Sequence, residues 1–96
     1  MASDMIELID PDGSRRAIAP ANGRRLTYDE RGALVGGYPC AFRLHDGRHM
    51  VVDDDFLSKD LATNWTATRL AAGCCTLTER GICGPVLVGD ARRLGL

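Results

Sequence analysis

Residues 34–55 read LVGGYPCAFRLHDGRHMVVDDD, and the fold turns on whether this stretch is a reactive loop or a hairpin. Tyr38 to Leu44 and His49 to Asp53 are strand-like runs that flank His45-Asp46-Gly47-Arg48. Asp-Gly between two such runs is the strongest short-range hairpin signal, because both residues tolerate the positive φ that a tight turn demands. With Asp46-Gly47 as the two-residue loop, His45 faces Arg48, Leu44 faces His49, Phe42 faces Val51 and Cys40 faces Asp53. Directly opposed residues share a face. That register puts His45 and His49 on opposite faces, so the H-D-G-R-H run loses the geometry of a metal site. One face carries Cys40, Phe42, Leu44 and Val51; the other carries Ala41, Met50 and Val52, interrupted by Arg43. Both are partly apolar, which predicts helices on one face and a partner subunit on the other.

Upstream, Thr27-Tyr28-Asp29-Glu30 matches a capping box and opens a helix from Tyr28 to about Val35. Gly36-Gly37 ends it. A phosphate-cradling loop would place its glycines at the start of a helix rather than the end. Before that, Met5 to Ile9 and Arg15 to Ala19 read as strands around the turn Asp10-Pro11-Asp12-Gly13, and Pro20-Ala21-Asn22-Gly23 opens a loop to Leu26.

Downstream, Asn64 to Ala72 reads as a second helix, capped by Thr63 or Asn64 and stopped by Gly73. Trp65, Thr68 and Ala72 form the stripe expected to pack on the sheet. Ile82 to Val88 is the closing strand, with Pro85 at an edge or a strand entrance, and the tail after Gly89 is expected to be loosely held. The whole predicts one domain over 1–96: α+β, a small mostly antiparallel sheet of about five strands with two helices, in the order ββαββαβ. Trp65, Phe42, Tyr28 and Tyr38 are the expected bulky anchors of its core.

The formal net charge of −1 gives no global field that favours nucleic acid. Arg15-Arg16, Arg24-Arg25 and Arg92-Arg93 would form a local anion-binding patch if brought together; otherwise they are solvated surface. No apolar stretch approaches the ~20 residues that cross a bilayer, and residues 1–20 lack a signal-peptide pattern, so a cytoplasmic protein without membrane partners is expected. Cys40, Cys74, Cys75 and Cys83 are then reduced thiols acting as small buried residues. Cys74, Cys75 and Cys83 with one His fit none of the usual zinc spacings, and Asp53-Asp54-Asp55 with Asp60 does not match a calcium loop. No metal and no cofactor is expected.

Val35-Gly36-Gly37, Met50-Val51-Val52-Asp53, Asn64-Trp65-Thr66-Ala67-Thr68 and Gly84-Pro85-Val86-Leu87-Val88 occur in an order that resembles a family of small proteins of unknown function, common in phages, plasmids and actinobacteria. The resemblance covers roughly 26–90. An acidic residue commonly follows the glycines in that family, whereas Tyr38-Pro39-Cys40 stands here. The resemblance brings no established activity; its setting implies an accessory role in mobile elements, acting against host defence.

The chain has no nucleophile elbow, no P-loop and no H-E-x-x-H, which argues against an enzyme, and no catalytic residue is assigned. The expected function is non-enzymatic binding of a small polar or anionic ligand, such as a nucleotide, by a homo-oligomer, dimer or higher. Gly36, Gly37 and the start of the Asn64 helix would converge on the ligand, with Asn64, Thr66 and Thr68 donating hydrogen bonds and Arg43 or Arg69 supplying charge. The alternative is an inhibitor or adaptor that presents Ala41, Met50 and Val52 to a host protein. Nucleic-acid binding through the Arg pairs is the third and weakest reading.

Overall fold

A computed structural model describes residues 5–96; residues 1–4 of the expected domain lie outside the described residues. Strands β1 (Ile6–Ile9) and β2 (Arg15–Ile18) form the first hairpin, followed by α1 (Tyr28–Val35). Then come β3 (Pro39–Arg43), β4 (His49–Asp53), a 3-10 turn at Phe56–Ser58, α2 (Trp65–Ala71), β5 (Val86–Gly89) and α3 (Ala91–Leu94). The sheet is open, with strand order β2-β1-β5-β4-β3, and every pairing is antiparallel. The fold is therefore α+β with five antiparallel strands, and the last strand of the sequence is the central one. Pro85 stands just before it, at the strand entrance.

α1 forms where its capping box places it: the Glu30 amide donates to Thr27 Oγ1 at 3.2 Å and the Thr27 amide to Glu30 Oε1 at 2.9 Å. Gly36 closes the helix in the left-handed conformation. β5 is buried at every residue, as a central strand covered on both faces must be. α2 covers one face through Ala67 and Ala71, over Ile9, Met50, Val52, Val86 and Val88. α1 and α3 cover the other through Val35 and Leu94, over Ile6, Leu8, Val51 and Leu87.

The hairpin of residues 39–53 is present but its register differs by one residue from that of a two-residue loop. The Leu44 amide donates to Arg48 O at 2.7 Å, the Gly47 amide donates to Leu44 O at 3.1 Å, and Gly47 has φ +91°. These bonds define a three-residue loop, His45-Asp46-Gly47, with the glycine as an αL bulge. Phe42 consequently faces Met50, Cys40 faces Val52, Ala41 faces Val51 and Arg43 faces His49. A slip of one residue reassigns faces. Met50 and Val52 lie under α2, 0% and 4% exposed, while Ala41 is exposed on the edge strand, so the three do not form a common face. Helices cover both faces of the sheet, α2 the one that holds Met50 and Val52 and α1 and α3 the other, so neither is the bare face expected to receive a partner subunit.

Other expectations change for equally local reasons. The tail after Gly89 is held: Leu94 is 0% exposed and Arg31 Nη1 donates to Leu94 O at 2.9 Å and Gly95 O at 3.2 Å. The core is aliphatic, and Tyr28, Tyr38 and Trp65 are 55, 70 and 55% exposed. Ala67 and Ala71, four positions apart, define the stripe of α2 that approaches the sheet, and Trp65, two positions before Ala67, points away from it. Of the cysteines only Cys83 is buried; Cys40 is exposed and Cys74 and Cys75 are half-buried.

Candidate functional site

The expected ligand residues do not meet. Gly36 and Gly37 follow α1, beside β4: Lys59 Nζ donates to Gly36 O at 3.0 Å and to Asp53 Oδ2 at 2.5 Å, and Asp53 is 2% exposed. A Cβ on Gly37 would fall 2.5 Å from Asp53 Oδ1, which is why this second position is a glycine although its φ is ordinary. Arg43 ends β3 at the strand terminus remote from Gly37, and it is exposed, as is Arg69. Thr66 is half-buried, beside Gly13 of the first hairpin.

Asn64 is 0% exposed and its hydrogen-bonding capacity is used within the fold. Its Nδ2 donates to Ile9 O and Gly84 O, each at 3.0 Å, and its Oδ1 accepts from the Ala67 amide at 3.0 Å. Thr68 Oγ1 donates to Asn64 O at 2.8 Å and accepts from the Ile82 amide at 3.0 Å. This buried node joins β1, α2 and the entrance of β5. Every N–H and O–H donor of the two side chains is used within the fold, so neither has a donor left for a ligand.

The histidines stand apart, on the two sides of the sheet. His45 Nε2 lies 3.0 Å from Ala72 O at the end of α2, while His49 faces Arg43 and Gly89, its Nδ1 buried without a partner among the described residues. Among the described residues no three His, Cys, Asp or Glu side chains group as metal ligands. Burial, with Cys74 beside it, pushes the Cys75 thiol up, so it stays protonated at neutral pH.

Polar groups left open to solvent converge elsewhere. The loop between β2 and α1 and helix α3 together enclose an open depression of about 550 Å³, lined by Gly23, Arg24, Arg25, Arg92 and Arg93. Asn22 Oδ1 accepts from the Arg24 and Arg25 amides at 2.9 and 3.1 Å, so the chain turns tightly and presents both arginines. Glu30 holds the start of the loop by accepting from the Ala21 amide at 3.1 Å. The Thr27 and Ala21 amides together keep its carboxyl below the usual glutamate range.

The two walls are tied to each other. The Leu26 amide donates to Arg93 O at 2.9 Å, and Arg93 Nη1 donates to Gly23 O at 3.3 Å and to Arg24 O. Arg31 Nη1 reaches Leu26 O at 3.2 Å as well as the two carbonyls at the end of α3, so one guanidinium pins both walls. The side chains of Arg24, Arg25 and Arg92 have no hydrogen-bond or ion-pair partner among the described residues. The third arginine pair is elsewhere: Arg15 and Arg16 alternate along edge strand β2, and Arg15 sits 3.8 Å from Glu7.

Comparison with protein-family models, curated proteins and solved structures finds no match to this chain.

The sequence exposes the Arg-Arg pairs but not their meeting, because the contact between residues 23–25 and 92–93 depends on α3, a helix of one turn held by a single buried leucine. Arg31, which locks that contact, reads in sequence as an ordinary exposed helix residue. No helix among the described residues is long and apolar enough to cross a membrane.

Proposed function

We propose that the protein is a non-enzymatic binding module for a small anionic ligand, held in the arginine depression rather than at the Gly36 and Asn64 positions. One observation carries this reading: two segments distant in sequence bring four arginines to one open cavity, and the side chains of Arg24, Arg25 and Arg92 have no partner among the described residues. Like charges gathered in this way repel, and the fold that holds them together is stabilised by whatever anion neutralises them. Guanidinium groups suit the task because they stay charged and present a planar fork of donors to an oxyanion. Ligand sequestration of this kind is the accessory role that the family resemblance suggests for such a module.

The test is a thermal-shift titration with inorganic phosphate and with sulfate, comparing the wild-type chain with Arg24→Ala/Arg92→Ala. A ligand that binds only the folded state stabilises by RT ln(1 + [L]/Kd), about 2.7 kcal/mol at a hundred times Kd. The expected outcome is a saturable rise in Tm for the wild type and none for the double variant. Equal rises in both proteins would refute the assignment.

A further inference from the structure

The chemistry of the lining goes beyond charge, and from it we infer that the depression selects a chain of two or more phosphates and does not read a nucleobase. This rests on the reading of the depression as an anion site. Every side chain that lines it is arginine, and the remaining lining residue, Gly23, has none. Arginine carries five N–H donors and no acceptor. A ligand matched to such a wall must present acceptors throughout, as phosphate oxygens do. A base edge carries donors as well, and these would meet no acceptor side chain here; no aromatic ring lines the cavity to stack on a base either.

Charge points to the same class. Four guanidiniums exceed what a single phosphate of about −1.5 to −2 neutralises, whereas pyrophosphate and longer chains approach balance. No carboxylate lines the cavity to offset the excess, and Glu30 of α1, which holds the start of the loop, is turned to the Thr27 and Ala21 amides. The cavity of about 550 Å³ has room for such a chain, and its walls are already tied by Arg93 and Arg31 before any ligand arrives. Preorganised donors lose little freedom on binding, so each added phosphate gains contacts at small entropic cost.

Isothermal titration calorimetry at fixed ionic strength, with EDTA present, tests this using phosphate, pyrophosphate, tripolyphosphate, citrate, ADP, CDP, adenosine and a single-stranded oligonucleotide. Pyrophosphate should bind about tenfold more tightly than phosphate, one additional charge-assisted contact being worth roughly that factor. ADP and CDP should bind alike within about threefold, a difference too small for a base-specific hydrogen bond, and adenosine should not bind. Comparison of pyrophosphate with ADP separates an inorganic ligand from a nucleotide's phosphate chain. Arg24→Ala/Arg92→Ala should remove the gain from phosphate to pyrophosphate. Equal affinity for phosphate and pyrophosphate, citrate as tight as tripolyphosphate, a preference between ADP and CDP, or an oligonucleotide that outcompetes tripolyphosphate would each overturn the inference while leaving an anion site. Absence of saturable binding by every anion would instead sink the site itself.

Discussion

The Asn64 node and the arginine depression are two places where this small fold concentrates polar groups from distant segments, and they differ in how those groups are answered. At Asn64, the side-chain amide, Oδ1 and carbonyl all meet partners within the chain, in a setting from which water is excluded. At the depression, the backbone is tied down by Arg93, Arg31 and Glu30, but the guanidiniums of Arg24, Arg25 and Arg92 have no partner among the described residues. A buried polar group left without a partner costs far more than a solvated one, so the first region is settled by folding alone and the second is not. Residue type does not separate structure from function here. What separates them is whether the hydrogen-bonding capacity has been used up.

Asn64→Ala gives the largest expected effect. It removes the cap of α2 and leaves Ile9 O and Gly84 O buried without their donor. The combined loss is about 3 kcal/mol, which lowers Tm by roughly 12–24 °C for a domain of this size. Binding of pyrophosphate, measured below the lowered Tm, should change by less than about twofold, the ordinary scatter for sites that do not touch. If binding falls while Tm holds, the comparison breaks and Asn64 belongs to a ligand site after all.

Gly37→Ala probes a second closed cluster. Its Cβ would meet Asp53 Oδ1 at 2.5 Å and Lys59 Nζ at 2.7 Å. Lys59 can swing outward, since its side chain is 39% exposed, but Asp53 is buried and short. The strand end must therefore shift, at a cost of about 1–3 kcal/mol by the measure of overpacked cores. Chemical denaturation is the direct readout, with an unchanged m-value showing that the denatured state is not the cause.

What the sequence conveys and what it hides follow from the range of the interactions involved. The bounds of α1 and β4 agree with the expectation because their signals are local: a capping box with a left-handed stop, and a strand that begins after a turn. The hairpin register was out of reach, since His45-Asp46-Gly47 can close as either of two loops of different length, and only the Gly47 conformation distinguishes them. α3 is missed because a single turn has almost no periodicity; it persists through the burial of Leu94 and the carbonyls that Arg31 satisfies. Asn64 is legible as a cap but not as the donor that ties β1 to the entrance of β5. The depression is the least legible feature, for it joins residues 23–25 to 92–93 across nearly the whole chain.

Arg31 belongs to both kinds of region and sharpens the contrast. Its Nη1 faces three carbonyls from the two walls of the depression, and its guanidinium carbon lies 5.8 Å from the centroid of the Tyr28 ring. Arg31→Met keeps much of the packing and removes the donors. Stability should fall by about 1.5–3 kcal/mol, as for hydrogen bonds from a charged group. Pyrophosphate affinity should fall severalfold as the walls lose their common pin. Arg31→Lys should recover part of both, because an ammonium still donates to carbonyls but without the planar fork. Loss of stability with intact binding would show that the loop and α3 do not need each other to hold the arginines.

The smallest effect, and the finest test of how the depression is held, concerns Glu30. Its carboxylate accepts from the Thr27 and Ala21 amides, and these bonds, Thr27 first, hold its carboxyl below the usual glutamate range. A native value below the unfolded one means the folded state binds the proton less readily. The contribution is therefore fully present above the ordinary glutamate range and is lost as pH falls through the lowered native value. A carbon-detected NMR titration of the Glu30 carboxyl should give a midpoint below that of an unstructured glutamate, with the Ala21 and Thr27 amide resonances moving at the same pH. Glu30→Gln retains one carbonyl oxygen but not the charge, and should abolish that coupled movement while weakening pyrophosphate binding by less than about threefold. An ordinary midpoint, or amides that ignore it, would show that the loop is carried by Asn22 and Arg93 alone.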